Sequence, residues 1–306
     1  MRVLAIDGGG IRGIIPATVL ADLERRSGRP VSGLFDLVAG TSTGGILACA
    51  LATPGDGGRP RWRAEELIAL YRDEGPKIFH RSLLKRVTSA DGLLDERYPS
   101  GPLEDALRRY LGDARLSQAL VPVLVTTYDL QARAPFFFKS WRAELDAPMA
   151  EVARATAAAP TYFEPAEVLG RPLIDGGVFA ANPAMSAYAE ARRLRAGGEP
   201  LVISLGTGSL TDPISLSTAR GWGDIGWARP VIDIALDGQS DAVDYQLDQV
   251  LGDAHHRLQV PLTKASDRLD DARPENIAAL EEHGRELVSA RAEQLDRLAR
   301  ELAAAA

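Results

Sequence analysis

Of the chain's 306 residues only one, Cys49, is a cysteine. A single thiol closes no internal disulfide, so the fold does not require an oxidising compartment. No apolar run approaches the ~20 residues needed for a transmembrane helix. The opening stretch, Met1 to Asp7, lacks the charged start and long apolar core of a secretory signal. A cytoplasmic location is the simplest expectation. Basic residues are also in deficit, 35 against 42 acidic ones, for a formal charge of −7. Bulk nucleic-acid binding relies on basic patches and counterion release, so no nucleic-acid partner is expected. There is no second cysteine, no His-Glu-x-x-His and no EF-hand loop. Neither a metal nor a cofactor is expected.

What is present is ordinary for a soluble globular chain: 45% hydrophobic and 25% charged residues. The length allows one large domain or two small ones. Strand and helix signals alternate. Arg2 to Ile6 is a short apolar run entering Asp7-Gly8-Gly9-Gly10. A helix follows from about Pro16 and fades at Ser27-Gly28. Phe35 to Ala39 is a second strand, breaking at Gly40 before the helical run Ile46 to Leu51. Val121 to Tyr128, Pro135 to Ser140, Arg171 to Ile174, Pro200 to Leu205 and Arg257 to Val260 are further strand-like runs. Such alternation predicts an α/β sheet layered between helices. No linker is long enough for a flexible joint, so residues 1–306 read as one domain. From about Pro274 to Leu302 the pattern is that of a single helix with an apolar stripe, capping the domain.

Three short motifs carry chemistry. Gly40-Thr41-Ser42-Thr43-Gly44 is a Gly-x-Ser-x-Gly between an apolar strand and an apolar helix. That is the context of a nucleophile elbow, where the serine Oγ is lifted above a helix N-terminus. The bland alternative is a Gly/Ser turn with the serine as helix cap. Asp7-Gly8-Gly9-Gly10-Ile11-Arg12-Gly13 also joins a strand to a helix. Its backbone N–H groups suit an anion, either an acyl-transfer oxyanion or a phosphate. No Gly-Lys-Ser/Thr follows, which disfavours a nucleotide P-loop. Asp175-Gly176-Gly177 ends a strand-like stretch, where a carboxylate can reach across a sheet edge or simply shape a hairpin turn.

In this order the three motifs resemble those of the patatin-like phospholipases. Residues Phe35–Gly45, Ala153–Phe163 and Ser204–Gly208 add to the likeness, which covers roughly 1–210. The resemblance implies a three-layer α/β/α fold with a central, mostly parallel sheet. It implies a Ser-Asp dyad, with Ser42 as nucleophile and Asp175 as its partner. It further implies an oxyanion hole from Gly8, Gly9 and Gly10, with Arg12 holding that loop or meeting a phosphate head group. Gly40 and Gly44 flank the elbow. The implied activity is that of a lipid acyl hydrolase of phospholipase A type, acting on phospholipids or other glycerolipids. An acyltransferase using the same site, and a non-catalytic storage or binding protein, are the alternatives.

A conventional triad would need a histidine, and His255, His256 or His283 follow Asp175 in the chain. None belongs to the three motifs; His283, in a charged helical run, reads as solvated. His255 and His256 are adjacent and make a poor chelating pair on a helix. Transient membrane contact is expected, as a lipid substrate demands. Two segments are candidates for it. Arg59 to Arg86 holds eight basic and four acidic residues interleaved with Phe79, Leu83, Leu84 and Val87. Gly221 to Trp227 carries two tryptophans, as an interfacial anchor, a lid or buried packing.

Overall fold

The computed structural model describes residues 1–80, 98–195, 197–211, 213–227 and 230–304. The labelled elements, in chain order, are as follows. The first half contains β1 (Arg2–Ile6), α1 (Ile14–Ser27), β2 (Leu37–Thr41), α2 (Thr43–Ala52), α3 (Ala64–Ala69) and α4 (Gly101–Leu111). Then come β3 (Val123–Asp129), β4 (Ala134–Lys139), α5 (Met149–Thr156), β5 (Ala166–Val168) and β6 (Arg171–Asp175). The last third holds α6 (Ala184–Leu194), β7 (Leu201–Leu205), α7 (Pro230–Leu251), β8 (His255–Leu258), α8 (Pro274–Ala290) and α9 (Ala292–Ala304).

These strands form one mixed sheet. Strands β8, β7, β1, β2 and β3 run parallel in that spatial order, each pair in register. Parallel strands covered on both faces read as unbroken apolar runs, which is why Val3-Leu4-Ala5-Ile6 shows no polar alternation. The two faces nevertheless separate with period two. Leu4, Ile6, Val38 and Val125 pack with α1, α2, α5, α8 and α9 on one side. Val3, Ala5, Leu37, Ala39 and Leu124 pack with α6 and Leu247 of α7 on the other. The fold is therefore the expected α/β/α arrangement of three layers with a mostly parallel central sheet.

One edge of β3 is shared, and this positions the site. Strand β4 runs antiparallel along β3 from Leu124 to Asp129 and occupies one edge. The other edge is taken first by β2, with Thr41 opposite Thr126. It is then taken by β6, antiparallel, with Asp175 opposite Thr127. Strands β2 and β6, running in opposite directions along this edge, both end at this point.

The predicted strands and the first two helices are present within a few residues of their expected bounds. Helix α1 ends where Gly28 adopts φ +71°, its N–H bonded to the Glu24 carbonyl. The C-terminal reading is corrected: the single helix over 274–302 is two helices, broken at Arg291 (φ −109°, ψ 18°). The break redirects the chain so that α8 and α9 both lie on α1. The buried stripe then resumes as Leu295, Leu298, Ala299 and Leu302. Among the described residues, no helix is long and apolar enough to cross a membrane.

Candidate active site

Strand β2 delivers its chain end to Ser42, whose φ is +54° and ψ −123°. A non-glycine residue in this region carries strain of order ~1–3 kcal/mol, retained only where the surroundings over-determine it. Here they do. The Ser42 N–H donates to Thr156 Oγ1 at 2.8 Å, and the Thr156 hydroxyl donates to the Thr126 carbonyl at 2.7 Å. The Ser42 carbonyl accepts from the Ile46 N–H, starting α2. The turn is so tight that a Cβ on Gly44 would lie 2.1 Å from the Ile6 carbonyl oxygen. A Cβ on Gly40 would lie 2.1 Å from the Gly44 carbonyl oxygen. The glycines of Gly-x-Ser-x-Gly are thus demanded by close backbone approach.

Asp175 closes β6 beside this elbow and is buried, at 4% exposure. Burial pushes its carboxyl up to about 6. The neighbouring Ser42 hydroxyl and the Gly177 N–H, which donates to Asp175 Oδ1 at 2.7 Å, oppose that rise. Desolvation disfavours the carboxylate and so makes it a better proton acceptor than a surface aspartate. The residues behind Asp175 are fixed as well: Thr41 Oγ1 donates to the Ala180 carbonyl at 2.6 Å and meets Thr126 Oγ1 at 2.7 Å.

The glycine loop lies across from the elbow. Gly10 has φ +56°, and a side chain there would meet the Leu269 carbonyl at 2.2 Å. That carbonyl accepts the Ile11 N–H at 2.9 Å, and the Gly9 carbonyl accepts the Arg12 N–H at 3.1 Å. Two parts of the sequence expectation change here. The Gly8 N–H donates to the Ala181 carbonyl at 2.9 Å, so it is engaged within the fold. Arg12 is buried, does not line the cavity, and donates from Nη1 to the Asp267 carbonyl at 3.3 Å. That bond ties the loop to the segment at Asp267. Among the described residues, the N–H groups of Gly9 and Gly10 have no backbone acceptor.

Ser42, Asp175, Gly9 and Gly10 all line one cavity of about 410 Å³. Its remaining walls are mainly apolar, with Ile46, Leu70, Leu107, Phe163 and Leu236 among them. That size falls in the range of roughly 300–1,000 Å³ for small-molecule sites. Two residues that sequence reasoning missed support it. Thr43, next to Ser42, shares a 2.7 Å hydrogen bond with the Tyr71 hydroxyl, and both line the cavity. Thr156 holds the Ser42 amide. Only its place within Ala153–Phe163, a stretch matching the family, hinted at a role.

Among the described residues, no histidine lines the cavity. His255 and His256 open β8 instead, so their side chains alternate across the sheet. His255 Nδ1 contacts Asp248 at 2.7 Å, and His256 Nδ1 lies 3.4 Å from Gln294 Nε2. His283 is fully buried, which corrects its reading as solvated. It sits on the buried stripe of α8, between Leu280 and Leu287, with Nδ1 2.9 Å from Glu286 Oε2. Asp244, Asp248 and His255 lie close enough to share an ion, but none of the three belongs to the cavity.

The two membrane candidates fare differently. In the basic segment, Arg81, Leu83, Leu84, Lys85, Arg86 and Val87 lie outside the described residues. Several of the others are paired: Arg63 with Glu24 at 3.0 Å, Arg72 with Glu281 at 2.7 Å and Lys77 with Glu74 at 3.1 Å. Phe79 lines the cavity. Trp222 and Trp227 stack edge to face at 4.7 Å, with Trp222 half-buried and Trp227 41% exposed.

The family model for "Patatin-like phospholipase" matches residues 4–188. "Patatin-like protein 2" of Arabidopsis thaliana is 34% identical, over 94% of this chain and 83% of its own length. "Patatin-16" of Solanum tuberosum is 33% identical over the same shares. "Probable inactive patatin-3-Kuras 1" of Solanum tuberosum is also 33% identical, over 94% of this chain and 86% of its own. Among solved structures, VipD from Legionella pneumophila aligns over 94% of this chain and 67% of its own. Its TM-score is 0.38 and its identity 14%, so the assignment rests on the sequence matches. By the extent of those matches, the chain belongs to the patatin-like phospholipase family.

Proposed function

We propose that this protein is a lipid acyl hydrolase of the phospholipase A type, working through a Ser42–Asp175 dyad. One observation carries the reading. A strained serine and a buried carboxylate line the same apolar cavity, together with Gly9 and Gly10, whose N–H groups have no backbone acceptor among the described residues. Membership of the family does not by itself imply turnover, since a relative of equal identity is described as probably inactive.

In the proposed reaction Ser42 Oγ attacks the ester carbonyl carbon while Asp175 accepts the hydroxyl proton. The carbonyl oxygen becomes an oxyanion, met by the Gly9 and Gly10 N–H groups. Collapse breaks the bond to the leaving alcohol, which takes the proton from Asp175. Water then attacks the acyl-serine and gives its proton to Asp175. The fatty acid leaves, and the proton returns to Ser42 Oγ. The apolar walls suit the acyl chain and exclude water from it. Glycerolipids, phospholipids above all, are the proposed substrates, reached by transient contact with a membrane surface from the cytoplasm.

Purified protein incubated with mixed glycerophospholipid vesicles tests the proposal. Free fatty acid and lysolipid, lost in Ser42→Ala, support it. Transfer of the acyl group to an added alcohol in preference to water would favour the acyltransferase alternative. A folded protein unlabelled by a fluorophosphonate and releasing no product would be the storage or binding protein.

A further inference from the structure

A second polar centre lies under the sheet, on the α6 and α7 side. Asp7, the first residue of the glycine loop, points there from the end of β1. Its Oδ2 accepts from Arg257 Nη2 at 2.6 Å and from the Ser240 hydroxyl at 3.0 Å. Arg257 Nη2 also reaches Ser240 Oγ at 3.0 Å, and its Nη1 donates to Ser204 Oγ at 2.8 Å. The pair is withdrawn from solvent, with side-chain exposures of 12% for Arg257 and 5% for Asp7. A buried ion pair is costly to desolvate and is weak evidence for stability in its own right. Its presence calls for another account.

The four residues come from four elements. Asp7 leads directly into Gly8, Gly9 and Gly10. Ser204 is on β7, one strand over from β1, where it pairs with Ala5. Ser240 is on α7, whose earlier turns supply Val231, Ala235, Leu236 and Gln239 to the cavity wall. Arg257 is on β8, the last strand of the parallel run. One guanidinium therefore joins the start of the glycine loop to the helix forming the cavity wall. The fork geometry of arginine lets two nitrogens be used at once, which a lysine cannot reproduce. Ser204, Ser240 and Arg257 all fall outside residues 4–188, the stretch matched by the family model. The loop is gripped from the same region elsewhere: Thr207 Oγ1 donates to the Gly8 carbonyl at 2.8 Å, and the Leu269 carbonyl receives the Ile11 amide.

We infer that Arg257 is a positioning residue: through Asp7 and Ser240 it sets the Gly9–Gly10 amides against the cavity wall. The inference rests on the proposed hydrolase reading and extends it to a residue far along the chain. It touches no substrate. Its contribution is to hold donors whose benefit is realised in the transition state, so its loss shows in kcat more than in KM. A displacement of about 1 Å can cost about a hundredfold in rate.

The test compares Arg257→Met, Arg257→Lys, Ser240→Ala and Asp7→Asn with the wild type on a soluble short-chain ester. Rates are taken per fluorophosphonate-titrated serine, so that misfolded protein drops out. Arg257→Met is expected to lose about a hundredfold in kcat, with KM within about threefold. Arg257→Lys should recover part of this, and Ser240→Ala should lose about fivefold. An alkyl trifluoromethyl ketone, which adds Ser42 Oγ to form an oxyanion, should bind each variant more weakly, in proportion to the loss of kcat/KM. If Arg257→Met does not fold, Ser240→Ala and Arg257→Lys carry the test. Unchanged kcat per titrated site and unchanged ketone affinity in the folded variants would overturn the inference. A wild-type protein with no ester turnover and no fluorophosphonate labelling would instead remove the hydrolase reading itself, and with it the oxyanion role assigned to the loop.

Discussion

Ser42 and Asp175 are neighbours because one edge of β3 changes partner between two consecutive residues. Thr126 pairs with Thr41 of β2, and Thr127 pairs with Asp175 of β6. The strand that ends at the elbow is replaced by the strand that ends at the carboxylate. Parallel β2 and antiparallel β6 thus bring their C-terminal ends together from opposite directions along the same edge. Two residues 133 positions apart in the chain meet without a loop having to carry either one. Placing both groups at strand ends fixes them more tightly than loop positions would.

The proposed nucleophile gives the simplest prediction. Ser42→Ala removes the attacking oxygen while retaining the backbone hydrogen bonds to Thr156 and Ile46. Ester hydrolysis should fall to background, with a circular dichroism spectrum matching the wild type. A folded Ser42→Ala protein with near-wild-type turnover would remove the assignment.

The carboxylate makes a prediction about pH. The proposed dyad requires Asp175 to be ionised, and burial pushes that group up to about 6. Activity should therefore rise with pH and reach half its plateau near pH 6. Stability should run the other way. The folded value lies above the ordinary 3.8, so Asp175 favours folding fully below about pH 4. This contribution is lost as pH rises through about 6, at a cost on the order of 3 kcal/mol. Asp175→Asn should lose several orders of magnitude in kcat yet melt no lower than wild type at pH 7. An Asp175→Asn protein with substantial turnover, or an acid limb centred near pH 4, would contradict this.

Thr156 is predicted to matter through the strained serine. Thr156→Val leaves the Ser42 N–H without its acceptor, at a cost of about 1–3 kcal/mol in stability. The elbow then relaxes, and kcat should drop by more than KM rises. Thr156→Ser should restore most of both. Equal kinetics in Thr156→Val and wild type, measured on folded protein, would show that the elbow holds its shape unaided.

The histidines should separate into structural and irrelevant. His255→Ala and His256→Ala should retain most activity, because neither reaches the cavity. His283→Ala should lower the melting temperature by leaving a hole beneath α8, while kcat per folded molecule stays unchanged. A histidine change that silences folded enzyme as fully as Ser42→Ala would install a triad.

How legible all this was in the sequence depends on the range over which each signal acts. The elbow, the glycine loop and Asp175-Gly176-Gly177 are local patterns of a few residues, and their residues do assemble at one cavity. Four of the five core strands were readable too, as short apolar runs each ended by glycine or aspartate, whereas β8, His-His-Arg-Leu, carries no such signal and the parallel order came only with the family resemblance. The use of the Gly8 amide was not, since its acceptor Ala181 lies far away in the chain. Arg257 carries no local mark; only the sheet register brings it beneath Asp7. His283 was misread from its charged neighbours, although the spacing Ile277, Leu280, Leu287 already put it on the apolar stripe of α8. The break at Arg291 has no proline or glycine to announce it. It follows from the packing of both helices on α1.

The most direct test of the central claim is intact-protein mass spectrometry with peptide mapping after reaction with a fluorophosphonate. The account predicts one adduct per chain, on Ser42, with sharply slowed labelling in Asp175→Asn and near-normal labelling in each of the His255, His256 and His283 alanine variants. An adduct on another serine, or labelling of Asp175→Asn at the wild-type rate, would contradict it.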